Sequence, residues 1–203
     1  MQDLASEDIF TMVGTAKVDP FAKKITNKIK VRAPWLLITF IGGLFSAYIL
    51  NRFQGSITDF STVLFFIPFV LGISGNVGLQ GSTVIVRGLA TGDIQKDNIL
   101  TVVRSELIVG IANGIIFGFL CGFIITLIAA PILQTSPLLG PAVGLGIVLA
   151  VGLAAVIGST APIIFLRINV DPAISSGPFV TVTNDIAGIA IYLLTTSYIY
   201  SAI

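Results

Sequence analysis

Residues Pro68 to Asp93 read PFVLGISGNVGLQGSTVIVRGLATGD, and the fold follows from how that stretch is understood. It begins as an apolar run, then sets glycines at 72, 75, 78 and 81 around Asn76, Gln80, Ser82 and Thr83, and ends at a charged border from Arg87 to Asp93. In a bilayer such a helix gains nothing by facing acyl chains. Small residues let a second backbone approach, and side-chain amides need partners or water. A second stretch of this kind, Gly177 to Tyr192, carries Asp185. The rest of the chain reads as a scaffold holding these two segments against a polar path.

The bounds agree with a bilayer. Of 203 residues 55% are hydrophobic and 10% charged, against ~25% charged in soluble domains, and the mean hydropathy is +1.00. Several runs exceed the ~20 apolar residues that cross a membrane. The fold class is therefore all-α, a polytopic membrane protein. Five spans are predicted: Pro34 to Leu50, Val63 to Arg87, Leu107 to Ala130, Ala142 to Leu166 and Phe179 to Tyr200. Residues 1–32 form a short basic cytosolic segment and 33–203 the membrane domain. Within the first segment, Ser6-Glu7-Asp8 is placed to cap a short helix. Phe21, Ile25, Ile29 and Val31 lie at helical spacing among lysines. That pattern suits an amphipathic helix at the membrane surface or across a pore mouth, or a plain basic anchor.

Ten of the eleven Lys and Arg fall on the N-terminal side of this topology, and only Arg52 on the other. The positive-inside bias gives a cytosolic N-terminus and an outside C-terminus in the plasma membrane. The first apolar run starts too late for a cleaved signal peptide. Five spans cannot divide into equal halves, so a symmetric path needs a second copy of the chain. No basic patch with interleaved aromatics points to nucleic acid. The single Cys121 cannot form an intrachain disulfide.

Asp185 is the first candidate for chemistry. Leu107 to Leu166 contains no Asp, Glu, Lys or Arg, whereas Asp185 stands inside span five. A mid-span carboxylate costs roughly 2.5–3.5 kcal/mol on insertion scales, so it should face protein or water. Gly177, Thr181, Asp185, Gly188 and Tyr192 share a face at i, i+3 and i, i+4 spacing, which suits a water-filled passage. The alternative is a structural aspartate bonded to a neighbouring span. With no basic residue inside a span to neutralise it, Asp185 favours a cationic ligand. Span two offers Pro68, Gly72, Gly75, Asn76, Leu79 and Thr83 as a complementary face. Carbonyls freed by Pro68 and the Asn76 side chain are hard oxygen ligands for a hydrated alkali or alkaline-earth cation. Plain helix packing through glycine is the competing account.

Other chemistries fail on composition. Gly72-Ile73-Ser74-Gly75 matches the serine motif of rhomboid-type intramembrane proteases, but the chain has no histidine to act as base. One cysteine, two methionines and no histidine make a poor copper or zinc site. No phosphate-binding glycine loop ends in Lys-Ser/Thr, so no ATP-driven motor is encoded. The protein is not read as an enzyme.

Phe66-Ile67-Pro68 through Gly75-Asn76-Val77-Gly78-Leu79-Gln80, followed by Val84 to Gly92, resembles the second span of the MgtE family of magnesium channels. Asp171-Pro172-Ala173-Ile174-Ser175-Ser176-Gly177-Pro178-Phe179, with Thr181, Thr183, Asn184-Asp185 and Ile191-Tyr192, is similar to its fifth span. The resemblance runs from about residue 31 to the end. It implies a homodimer of five-span subunits embedded in lipid, with the pore on the two-fold axis between spans two and five. It also implies Mg²⁺ as the transported ion, passing largely hydrated. The family's essential aspartate falls on Asp185 and its asparagine on Asn76. Its pore glycines fall on Gly72 and Gly188, and Thr181 joins them as an expected ion-site residue. The family's large N-terminal domain and CBS pair have no counterpart in the sequence in hand, where 1–32 resembles the end of the CBS region and the linking plug helix. Feedback closure by those domains is accordingly not expected here. Ser74 and Leu79 stand where the family favours smaller residues.

Two further readings compete with a Mg²⁺ channel. One is a proton- or sodium-coupled carrier using Asp185, for which a lone aspartate is thin. The other is a non-transporting subunit that only docks a partner, which would not need Asp185 on a face with Thr181 and Gly188.

Overall fold

The computed structural model describes residues 10–15, 21, 24–55, 57, 60–95 and 97–201. The expected capped helix at Ser6-Glu7-Asp8, along with Lys17, Lys23 and Lys96, lies outside the described residues. Five helices are long and apolar enough to cross a membrane: Ile25–Phe53, Phe60–Thr91, Ile99–Ile128, Leu139–Arg167 and Pro172–Ser201, here spans one to five.

Span four is the axle of the bundle and touches spans two, three and five. It carries no charge between Leu139 and Leu166 and mixes small with branched residues, so most of it packs, with Leu145, Leu149 and Val156 left exposed along one side. Val143, Ile147, Ala150, Val151 and Ala154 are all buried. All but Ala154 form the core with Val63 and Val70 of span two and Ile189, Tyr192 and Leu193 of span five. The most extensive helix pair is three with four, and its cause is legible residue by residue. Gly110, Gly114, Gly118 and Gly122 are spaced four apart on one face of span three, and all are buried. A Cβ on Gly118 would press on the Gly144 carbonyl at 2.7 Å, and one on Gly122 on the Gly140 carbonyl at 3.0 Å. Backbones this close gain dispersion contacts that lipid cannot match.

Span one is peripheral. Only Gly42 is buried along it, against Val182 of span five. Its helix runs unbroken from Ile25 through Pro34. The amphipathic helix expected over Phe21 to Val31 is therefore, from Ile25 onward, the first part of span one and not a separate element.

Several boundaries differ from the sequence expectation. Span two begins as a short helix, Phe60–Leu64, breaks at Phe65 and Phe66, and resumes at Ile67–Thr91. Pro68 lies in the first turn of the resumed helix, where its missing N–H costs nothing. The loop expected over Gly88 to Glu106 is much shorter, because helix persists to Thr91 and restarts at Ile99. Gly92 adopts φ 77° to end span two. The turn is tied by Asn98 Nδ2 donating to the Asp93 carbonyl (2.8 Å) and by the Gln95 N–H donating to Asn98 Oδ1 (2.7 Å). Arg87, Arg104 and Glu106 are consequently helical. Charge ends an apolar run without ending a helix.

The helices depart from α-geometry twice, as a π-helical turn at Ile125–Ala129 and as a kink within Ser175–Phe179. Each is associated with a proline, Pro131 just after the first and Pro178 within the second. The ring displaces the carbonyl four residues back and widens the turn. At the second, Gly177 leaves helical geometry altogether (φ −82°, ψ −127°). Asp171 Oδ1 accepts from the Ala173 N–H at 2.8 Å, capping the start of span five just ahead of Pro172.

Candidate functional site

Span two has two unlike faces. Val70, Ser74, Gly78, Gly81, Ser82 and Ile85 are buried, on the side facing spans four and five. A Cβ on Gly78 would strike the Asn184 amide, and one on Gly158 of span four would strike the Gly78 carbonyl. Ser82 and Ser176 share a hydrogen bond of 2.5 Å between their hydroxyls, tying span two to the kink of span five. The opposite face is open. Pro68, Gly72, Asn76 and Leu79 are exposed, and a Cβ on Gly72 or Gly75 would meet nothing within 4 Å. Thr83 Oγ1 donates to the Leu79 carbonyl at 2.7 Å, so its methyl and hydroxyl oxygen are what that face presents.

The glycines of the opening stretch therefore divide. Gly78 and Gly81 are buried by close helix approach, whereas a side chain at Gly72 or Gly75 would meet none of the described residues within 4 Å. Packing alone explains the first pair and leaves the second unexplained.

Span five is likewise divided. Thr181 is exposed and Asp185 half-buried, and Thr181 Oγ1 donates to the Gly177 carbonyl at 3.2 Å. Gly188 is buried at the seam with span two, where a Cβ would lie 3.5 Å from Ser74 Oγ and 3.7 Å from Leu71 Cδ2. Gly188 thus borders the open face from behind. Tyr192, expected to face a water-filled passage, is instead fully buried. Its hydroxyl donates to the Val63 carbonyl at 2.9 Å. The break in span two at Phe65 and Phe66 leaves that carbonyl able to accept a side chain. Gly177 is also buried, with the Met12 carbonyl directly over it, so it too is not part of an open face.

Two polar residues escaped the sequence reading. Asn184 is only 1% exposed, and neither its Nδ2 nor its Oδ1 has a hydrogen-bond partner. Its place beside Asp185 in the quoted motif was visible, but not that it turns inward onto Gly78. Glu106 was assigned to a loop because it borders a charged run; it lies in the helical part of span three, with Oε2 beside Gly81 of span two. Among the described residues no three His, Cys, Asp or Glu gather as a metal cluster.

Five packed apolar spans, one carboxylate within span five and an unpacked small-residue face on span two define a polytopic helical membrane protein with a polar intramembrane surface. The MgtE family model, whose description is divalent cation transporter, matches residues 67–195. The chain belongs to the MgtE family. It is 32% identical over 198 residues to a protein named magnesium transporter MgtE from Bacillus subtilis (strain 168), covering 97% of this chain and 43% of that one. The protein of the same name from Thermus thermophilus is 33% identical over 172 residues, covering 85% and 37%. That from Enterococcus faecalis is 27% identical over 192 residues, covering 95% and 41%. The chain spans about two fifths of the length of these relatives.

Proposed function

We propose that this chain forms the pore of a Mg²⁺ transporter, in which two copies face each other across a two-fold axis and spans two and five line the path. The observation that carries the reading is the open face of span two, where a Cβ on Gly72 or Gly75 would meet nothing within 4 Å among the described residues beside an exposed Asn76. Glycine against nothing leaves room for something, and in a bilayer that something is a partner or an aqueous path.

One Asp185 per chain is too little for a full protein cage. Mg²⁺ demands octahedral oxygen at about 2.0–2.1 Å and sheds water reluctantly. Two Asp185 carboxylates facing each other attract the hydrated ion, the Asn76 amides and Thr181 hydroxyls meet its water shell, and Gly72 keeps the lumen wide, while Gly188 lets span five pack close against Ser74 and Leu71 of span two. The N-terminus is cytosolic in this reading, from the bias of basic residues. The deciding experiment is Mg²⁺ flux into liposomes holding purified protein at fixed voltage and without a proton gradient. Wild-type uptake that disappears in Asp185→Asn supports the pore. Uptake unchanged in that variant, or dependent on a proton gradient, overturns it.

A further inference from the structure

Span five lies on span two through one stripe of residues. Ser176, Val180, Asn184, Gly188 and Tyr192 recur four residues apart and are all buried, and span two meets four of them in reverse order. The Ser176 hydroxyl pairs with Ser82. The Asn184 amide lies over Gly78, and Gly188 rests beside Ser74 and Leu71. The Tyr192 hydroxyl donates to the Val63 carbonyl at 2.9 Å. Hydrogen bonds therefore tie both ends of the stripe, and its middle has none. Both amide atoms of Asn184 are buried without a hydrogen-bond partner among the described residues. A Cβ on Gly78 would collide with Asn184 Nδ2, and the Ala154 carbonyl of span four stands 3.2 Å from that same Cβ position. The amide is seated in a slot that exists because residue 78 has no side chain, with span four as its floor.

A buried amide that pairs with nothing gains no stability from its polarity and forfeits its hydration. What Asn184 supplies in the slot is shape. Gly188 and Ser74 are too small to resist a rotation of span five about its own axis, whereas a branched side chain lodged between spans two and four blocks it. Adjacent residues of a helix point about 100° apart. Fixing the direction of Asn184 therefore fixes that of Asp185, which is half-buried at the edge of the stripe. We propose that Asn184, seated in the Gly78 slot, is a positioning residue that sets the rotation of span five and so holds Asp185 at the edge of the bundle. The use made of that aim rests on Asp185 being the carboxylate of the ion path, and the aim itself does not.

The test is the rate at which a cationic methanethiosulfonate reagent modifies Asp185→Cys in the purified full chain, with Cys121→Ser removing the native thiol. The measurement needs no Mg²⁺. Asn184→Ala empties the slot and Gly78→Ala blocks it. Each should slow modification at position 185 by about threefold or more, the scale on which a supporting residue biases two settings of an element. Asn184→Leu keeps the branched shape without the amide, and should hold the parent rate with an unfolding temperature no lower than the parent's. Where Asp185 is retained, Mg²⁺ flux should fall in Asn184→Ala. Flux that survives Asp185→Asn would instead overturn the ion path and leave the labelling result standing, so the two failures are told apart. Should Asn184→Ala fail to assemble, Gly78→Ala and Asn184→Leu decide. Rates unchanged or faster in the alanine variants overturn the proposal, even where the unfolding temperature drops, because Asn184 is then packing alone. So does a rate that falls as far in Asn184→Leu as in Asn184→Ala.

Discussion

In the proposed path, Asp185 is the residue that offers the ion a formal charge. A carboxylate about 5–6 Å from a hydrated divalent ion, at an effective dielectric near 20, contributes on the order of 3 kcal/mol per unit charge, about a hundredfold in occupancy. Asp185→Asn should therefore lower Mg²⁺ flux in liposomes by at least that factor, since the ion carries two charges, with the size of the assembly in detergent unchanged. Asn76 makes a second residue-level test. Asn76→Leu should reduce flux while leaving the unfolding temperature nearly unaffected, because Asn76 is exposed on the single chain and glues nothing together. The glycines provide an internal control. Gly72→Ala and Gly75→Ala add a methyl to open space, so they should narrow the path and cut flux without loss of stability. Gly78→Ala adds one onto the Asn184 amide and should cost roughly 1–3 kcal/mol by overpacking. Thermal unfolding and flux measured on all three variants separate the classes. Equal destabilisation by all three would mean that the open face is packed in the assembled protein.

Among elements, the seam between spans three and four is the most demanding of exact sequence. Gly118→Leu would drive a side chain into Val148 and the Gly144 carbonyl, and should destabilise by several kcal/mol, read as a drop in unfolding temperature. Number and order of spans were legible beforehand, because five apolar runs separated by polar ones leave little choice. Where each helix stops was not. Hydropathy reports where lipid ends, whereas hydrogen bonding decides where helix ends, and Arg87, Arg104 and Glu106 lie between those limits. Of the expected site residues, Gly72, Asn76, Thr181 and Asp185 lie exposed or half-buried, and Gly188 is buried just behind them. Tyr192 misled because period alone puts it on the face of Asp185. The break before Pro68 supplied a buried carbonyl that drew its hydroxyl inward. Asn184 illustrates the converse, a polar residue whose inward aim depends on the absence of a side chain at Gly78.

In the molecule taken whole, the N-terminal turn and the two site-bearing spans meet at one place. Met12 is buried with Val86 of span two and Ala173 of span five, and its carbonyl covers Gly177 at the kink. The Trp35 ring of span one lies against Gly14, holding the turn down. This wedge sits where the spans that line the proposed path converge. Removing residues 1–15 takes away the wedge without entering span one. Mg²⁺ flux per assembled protein should then rise, or hold steady with weaker inhibition by internal Mg²⁺. Flux abolished by the truncation, with the assembly intact, would show the turn to be a strut of the open path and not a brake on it.

The lengths of the five spans carry a consequence for the surrounding lipid. At 29 to 32 residues each and about 1.5 Å per residue, they measure about 44–48 Å, against a hydrocarbon layer of ~30 Å. The excess leaves helical collars standing among the headgroups. Arg87 near the end of span two, Arg104 near the start of span three and Arg167 at the end of span four belong to one such collar, joined by Lys28, Lys30 and Arg32 at the start of span one. Under the proposed topology these basic residues are expected to meet anionic phospholipid headgroups, each contact worth about 1 kcal/mol near a charged surface. Bilayers lacking anionic lipid, or thickened by a few ångströms, should tilt the outlying span one first, since it is pinned chiefly along span five, and through Trp35 that tilt reaches the wedge at Gly177.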